Sequence, residues 1–286
     1  MTEPAKTFTQ APIGDLSTFS ETPFDHGGSS YQVFRKGSGP AVLVITEMPG
    51  ISPMVLGFAD RVVALGCTAV LPDLFGTAGR DPLAGNKVVG QLRSFGTVLG
   101  TCIRRDFTAL AAGKSSPVVD WLRALAHHEH AECGGPGVGV VGMCFTGGFA
   151  LAMAVDDVVL APVLSQPSLP FPISKKHKAS IDTSPADIDI VAGRCANDGL
   201  KVIGLRFDGD PYVPKERFRY LEQKLGSGFV AVELAQSDGN PSGPLPHRHS
   251  VLTGDLIDEP GERTRDALDQ VLNLLETKLL PGASGT

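Results

Sequence analysis

Gly137-Val138-Gly139-Val140-Val141-Gly142-Met143-Cys144-Phe145-Thr146-Gly147-Gly148 reads as an apolar β run that stops at a glycine and turns sharply around one cysteine. Helical patterning follows at once in Phe149-Ala150-Leu151-Ala152-Met153-Ala154. A strand, a nucleophile and a helix joined in this way make a nucleophile elbow, written G-x-S-x-G when the nucleophile is serine. Here the nucleophile would be Cys144. Glycines flank it because the turn strains its central residue, and a bulky neighbour would collide with the adjoining strand and helix. The new helix aims its N-terminus at the sulfur, and that partial positive charge favours thiolate.

Outward from the elbow the chain alternates strands and helices. Residues 30–35 alternate in polarity and read as an edge strand. Ala41-Val42-Leu43-Val44-Ile45-Thr46 is a continuous apolar run, as expected of a central parallel strand buried on both faces, and it ends at Glu47-Met48-Pro49-Gly50. A helical pattern over 53–65 stops at Gly66. Thr68-Ala69-Val70-Leu71 is a second buried strand, followed by the turn Pro72-Asp73-Leu74-Phe75-Gly76. Residues 76–100 are glycine-rich and irregular, a candidate wall for a substrate pocket. Ser116-Pro117 opens a helix that runs to His130.

Downstream, strands are expected at 157–163, 202–207 and 229–234, with helices at 215–225 and 262–279. Residues 166–200, with the run Lys175-Lys176-His177-Lys178, read as an excursion, either a lid or a solvated surface loop. The alternation implies a mainly parallel central sheet with helices on both faces, an α/β fold. The expected organisation is a polar N-terminal arm at 1–28, one domain at 29–280 and a flexible tail at 281–286.

At 286 residues the chain buries roughly 75% of its unfolded surface, enough for one large core. Hydrophobic content of 42% with 20% charged residues suits a globular protein, and a net charge of −6 argues against nucleic acid or an anionic membrane as partner. No apolar run approaches the ~18 residues that span a bilayer. The polar opening Met1-Thr2-Glu3-Pro4-Ala5-Lys6 has no apolar signal core, so a cytoplasmic location is expected. Five scattered cysteines at 67, 102, 133, 144 and 195 suggest free thiols, and no spacing among them suits zinc.

In open α/β sheets the functional crevice lies beyond the carboxyl ends of the strands. Glu47, Cys144, Asp210 and His249 all sit just past such ends or in the loops there. The order nucleophile, acid, histidine is that of the α/β-hydrolases. His249 would take the thiol proton and return it to the leaving group, while Asp210 holds the imidazole tautomer. The backbone N–H groups of Phe145 and Met48 would bind the developing oxyanion. Asp208 competes with Asp210 for the acid, and His247 with His249 for the base.

The segments Thr46-Glu47-Met48-Pro49-Gly50, Pro72-Asp73-Leu74-Phe75, Gly142-Met143-Cys144-Phe145 and Gly209-Asp210-Pro211-Tyr212-Val213-Pro214, followed by His249-Ser250, resemble the dienelactone hydrolase family. The resemblance spans about residues 40–255 and implies an α/β-hydrolase fold opening a small ester or lactone through a Cys-Asp-His triad. It also implies that Glu47 contacts the resting cysteine and gives way when substrate binds, so that the thiol ionises only in the complex. Two departures stand out. The family usually has glycine two residues after the cysteine, where this chain has Thr146, a β-branched residue that crowds the turn. The family member acting on dienelactone carries an arginine shortly after the histidine. Ser250-Val251-Leu252-Thr253 stands here, leaving Arg80, Arg104, Arg105 and Arg248 as substitutes for binding a substrate carboxylate.

Gly137-Val138-Gly139-Val140-Val141-Gly142 matches G-x-G-x-x-G, but these residues are the strand itself, not the turn after one, so no dinucleotide is expected. His26-Gly27-Gly28 precedes the first buried strand and reads as arm sequence, and His127, His128 and His130 lack metal spacing. The expectation is an α/β-hydrolase that uses no metal or organic cofactor and acts on a small-molecule ester or lactone. Its oligomeric state is left open. The rivals are a thioesterase or acyl transferase on the same site, and a non-catalytic relative whose Cys144 senses oxidants.

Overall fold

The computed structural model describes residues 15–76, 78–79 and 116–280. Among these an eight-stranded sheet runs in the order β1-β2-β4-β3-β5-β6-β7-β8. The strands are β1 Ser20–His26, β2 Ser29–Gly37, β3 Ala41–Ile45, β4 Thr68–Pro72, β5 Val138–Met143, β6 Val159–Ser165, β7 Val202–Phe207 and β8 Phe229–Leu234. β4, β3, β5, β6, β7 and β8 are mutually parallel, while β2 pairs antiparallel with β4 and β1 antiparallel with β2.

β3 shows why the sheet is two-sided. Its five residues are all buried, with Ala41, Leu43 and Ile45 in one core and Val42 and Val44 in the other. Successive side chains of a strand point to opposite faces, so an unbroken apolar run requires cover on both. One face is covered by α2 Val118–Cys133, α3 Gly147–Met153, α5 Pro185–Asn197 and α6 Lys215–Leu225. The other carries α1 Pro53–Ala64 and α7 Arg263–Leu279. α1 starts where Ser52 accepts the Val55 N–H and Pro53 takes the first helical position, and it buries Leu56, Ala59 and Val62 against the sheet. None of the helices among the described residues is long and apolar enough to cross a membrane.

Three expectations need correction. Residues 20–28 are not part of a loose arm: β1 pairs along its length with β2, and the edge strand is therefore β1, with β2 one place inside. His26-Gly27-Gly28-Ser29 is the hairpin turn between them. Both glycines have positive φ, 58° and 82°, the backbone twist a two-residue hairpin loop needs. β1 leaves all but one of its residues exposed, so it lacks the alternation that would have marked it.

Residues 166–200 are not a bare loop. They contain the short α4 Lys175–Lys178 and then α5, which buries Ile188, Val191 and Cys195 and forms the crossover from β6 to β7. Ser184, whose side chain accepts the Asp187 N–H, and Pro185 at the first turn mark its start. α2 also runs past His130 to Cys133, and within it Glu129 is buried in a bidentate pair with Arg35 (Nε to Oε1 2.9 Å). The expected tail, the 80–100 pocket wall, Arg80, Arg104, Arg105 and residues 1–14 of the arm lie outside the described residues.

The G-x-G-x-x-G stretch is confirmed as strand: residues 138–142 lie within β5, and Gly139 leaves room for Leu275 of α7.

Candidate active site

Cys144 follows β5 directly and opens a single 3-10 turn ahead of α3. Its φ is +55°, a conformation uncommon for a residue with a side chain and found where function demands it. The bend brings backbone so close that a Cβ on Gly142 would lie 2.3 Å from the Thr146 carbonyl, and one on Gly147 2.5 Å from Pro167 Cα. The glycines at these positions are therefore steric requirements.

Thr146 does not disturb the turn; it fastens it. Fully buried, its hydroxyl lies 2.7 Å from the Ile45 carbonyl, 3.2 Å from that of Thr46 and 3.0 Å from that of Met143, and it accepts the Met143 N–H at 3.0 Å. The hydroxyl has one proton, and the shortest contact assigns it to Ile45, tying the elbow to the end of β3.

His249 lies in the loop after β8, 4% exposed. Its Nδ1 meets Asp210 Oδ2 at 2.7 Å. Asp210, past the end of β7, is fixed by the Tyr212 N–H at 2.9 Å. Burial opposes a charge on the imidazole, but attraction to Cys144 and the bonds to Asp210 and Cys144 outweigh it, so its pKa is raised well above the ordinary histidine value. Of the competing candidates, Asp208 is exposed and accepts the Gln236 N–H at 2.9 Å. His247 packs its ring against Tyr212, and its Nε2 has no hydrogen-bond partner among the described residues.

Glu47 is 8% exposed at the end of β3. Among the described residues three side chains donate to it: Ser250 Oγ to Oε2 at 2.7 Å, Gln166 Nε2 to Oε2 at 3.2 Å, and Thr253 Oγ1 to Oε1. Of the two residues whose N–H groups the sequence suggests as oxyanion donors, Phe145 is buried and Met48 half-buried. Arg248 turns to Asp255, 3.3 Å away, and to the carbonyls of Leu245 and Pro241, so its charge is committed inside its own loop.

Four residues escaped the sequence reading. Ser168, on the loop after β6, places Oγ 3.5 Å from the Cys144 sulfur and donates its N–H to the Cys144 carbonyl. Gln166, fully buried with φ +38°, accepts the Ser165 hydroxyl and the Val251 N–H. Both follow a strand's carboxyl end, the same signal that pointed to Glu47. Asp255 accepts the N–H groups of His249 and Ser250 at 2.7 and 2.9 Å. Arg217 of α6, fully buried, donates to the carbonyls of Pro167, Pro170, His177, Ser180 and Tyr212 and holds the 167–180 loop over the elbow. Nothing in the sequence marks either of these two, since their partners are distant or are backbone atoms.

No group of three or more His, Cys, Asp or Glu among the described residues has metal-binding geometry.

The sequence profile of the dienelactone hydrolase family matches residues 29–194. No curated protein matches the chain. Among solved structures, a dienelactone hydrolase-like promiscuous phosphotriesterase from metagenomic libraries is 16% identical, with a TM-score of 0.61 over 92% of this chain and 98% of that one. A dienelactone hydrolase from Anabaena variabilis is 14% identical, with a TM-score of 0.53 over 92% of this chain and 99% of that one. The 2,6-dihydroxy-pseudo-oxynicotine hydrolase gives 15% and 0.55, over 92% and 70%. At such identities these likenesses establish the shared fold, and the profile establishes the lineage. The chain belongs to the dienelactone hydrolase family, a family of ester- and lactone-cleaving α/β-hydrolases.

Proposed function

We propose that the chain hydrolyses a small ester or lactone through Cys144, His249 and Asp210, by way of a thioester acyl-enzyme. The observation that carries this reading is the buried His249 ring, bonded at Nδ1 to Asp210 at 2.7 Å and near enough to Cys144 for the sulfur to raise its pKa. With Nδ1 committed to the carboxylate, Nε2 is the atom left for the sulfur.

In the first half-reaction the thiol proton passes to His249, whose raised pKa favours the charged ring, and the sulfur attacks the carbonyl carbon. The electron pair moves to oxygen, where the N–H groups of Phe145 and Met48 receive the charge. Collapse breaks the C–O bond, and the imidazolium gives its proton to the departing alkoxide. Water then attacks the thioester while His249 removes a proton from it. The sulfur leaves, recovers a proton from His249, and the acid is released. For a lactone both halves of the product stay in one molecule, a hydroxy acid. Asp210 holds the tautomer and stabilises the imidazolium throughout.

Phe145 packs edge-on against Phe75 and Phe171, with ring centroids 6.3 and 6.5 Å apart. Such rings beside the sulfur favour a substrate with an apolar body.

The test is a panel of aryl esters, lactones and thioesters presented to the wild type and to Cys144→Ala. Wild-type turnover of at least one class is expected, and the alanine variant should lose both turnover and covalent labelling while still unfolding cooperatively. Undiminished hydrolysis by Cys144→Ala would overturn the reading.

A further inference from the structure

Ser168 Oγ lies 3.5 Å from the Cys144 sulfur and 3.0 Å from the Gln166 carbonyl, placed to donate to either. The residue is buried, 2% exposed, so bulk water does not compete for the hydroxyl. Backbone contacts hold it there. The Ser168 N–H donates to the Cys144 carbonyl at 2.9 Å, tying the loop after β6 to the elbow. Pro167 packs so closely on the turn that a Cβ on Gly147 would lie 2.5 Å from its Cα. The Pro167 and Pro170 carbonyls, which bracket Ser168, both accept from the buried Arg217 guanidinium. A serine hydroxyl has one proton to donate, and here two acceptors stand within its reach.

We propose that Ser168 is a catalytic residue of the Cys144 site: its hydroxyl donates to the sulfur while the sulfur is negatively charged, and to the Gln166 carbonyl while it is not. This role rests on the reading of Cys144 as nucleophile. A neutral thiol or thioester sulfur is a weak acceptor, so the carbonyl receives the hydroxyl in the resting enzyme and in the acyl-enzyme. A thiolate is a charged acceptor, and hydrogen bonds to charged partners are roughly twice as strong as neutral ones. Rotation about the serine C–O bond is enough to change partner. The hydroxyl therefore turns to the sulfur twice in a cycle: when the thiol proton leaves for His249, and when the thioester C–S bond breaks and its electron pair returns to sulfur. The Ser168 proton stays on its own oxygen throughout, and no bond to Ser168 forms. Because the stabilisation belongs to the anion alone, it lowers both barriers without deepening the resting state.

The experiment measures carbamidomethylation of Cys144 by iodoacetamide as a function of pH in the substrate-free protein, with the modified residue located by peptide mass spectrometry. Only thiolate reacts, so the rate follows the ionised fraction. Losing a hydrogen bond to the charged sulfur should move the profile of Ser168→Ala to higher pH by about one unit or more, and slow alkylation about tenfold or more on its acidic limb. On the alkaline plateau the sulfur is charged with or without the hydroxyl. There the variant should react as fast as wild type or up to about threefold faster, since nucleophilicity rises with thiol basicity. The charged groups around the loop and elbow are His249 with Asp210, Glu47, which Gln166 binds, and Arg217 with Asp182. All are retained in both proteins, so the displacement reports the hydroxyl.

An unmoved midpoint would overturn the role of Ser168 whether or not the plateau falls, because a loop merely displaced changes access to the sulfur and not its ionisation. Where Ser168→Ala does not fold, Ser168→Gly decides by the same criterion. The readout needs no ester, so the two readings fail separately. Superimposed profiles in a protein whose hydrolysis requires Cys144 would remove Ser168 alone. A displaced profile in a protein that turns over no ester would refute the proposed hydrolysis and leave Ser168 as the donor to the sulfur.

Discussion

At the scale of single residues, the site depends on which polar atoms find partners. Asp210 illustrates this: its two oxygens are divided between the Tyr212 N–H and His249 Nδ1, so it fixes the imidazole without freedom of its own. Asp210→Asn would present the wrong partner to Nδ1, and kcat should fall about 10³–10⁴-fold with little change in melting temperature. The raised pKa of His249 also makes stability depend on pH. Since the folded value lies above the unfolded one, the stabilisation is complete below the unfolded value and is lost as pH rises through the folded value. Thermal denaturation should therefore show a fall on the alkaline side of neutrality. The fall should shrink in Cys144→Ala, which removes the strongest attraction holding the proton on the ring. Thr146→Val keeps the shape of the elbow but strips the hydroxyl from the Ile45 carbonyl and Met143 N–H, and urea denaturation should show a loss of about 1–3 kcal/mol.

At the scale of elements, glycines on helices separate by what their missing Cβ would meet. A Cβ on Gly148, in the first turn of α3, would lie 1.7 Å from Asp182 Oδ1, so nothing larger fits there without a shift. Gly193, in α5, has nothing within 4 Å of the same position. Gly148→Ala should cost about 1–3 kcal/mol or more and reduce activity by pushing α3 away from the elbow. Gly193→Ala should add about 0.5–1 kcal/mol by ordinary helix propensity and leave turnover unchanged. Paired urea titrations read both signs in one experiment. α5 also shows where element reading fell short. Ser184-Pro185 carries the same signal as Ser116-Pro117, yet the prolines and lysines around it argued for a loop, and only packing on α3 and α6 marks it as a crossover helix.

At the scale of the whole molecule, Arg217 joins parts of the chain far apart in sequence. Its guanidinium holds carbonyls from 167 to 180, beside a fully buried Asp182 whose oxygens have no hydrogen-bond partner among the described residues. Burial pushes the Asp182 carboxyl up to about 7 against the pull of Arg217, and burial lowers Arg217 to about 10. Removing Arg217 leaves a buried carboxylate facing carbonyls, so Arg217→Met should cost about 3–5 kcal/mol, and adding Asp182→Asn should recover part of it. For Asp182 the folded pKa is raised, so its ionisation cost is absent below the unfolded value of 3.8 and is fully felt above about 7. The wild type should accordingly lose stability relative to Asp182→Asn as pH rises across that window, as measured by melting temperature.

What the sequence determined by itself was everything that repeats locally. Unbroken apolar runs gave the parallel strands, Ser-Pro and glycine boundaries gave α1, and helix and strand at 215–225 and 229–234 fell where periodicity put them. The elbow was legible because its chemistry is contiguous, six strand residues and a turn within twelve positions; Cys144, Asp210 and His249 were singled out by their order and family resemblance, and the fold places the last two 2.7 Å apart. Tertiary structure alone decided the rest. β1 is a strand because β2 offers it an edge, not because its own residues alternate. Thr146 is accommodated because a carbonyl at the end of β3 lies opposite its hydroxyl. Glu47 turns to Ser250 and Thr253, more than two hundred residues away along the chain, because strand ends that are distant in sequence are neighbours in the sheet. A hydrogen bond between such residues leaves no periodic trace in either segment, so a single sequence records the donors and the acceptor without recording that they meet.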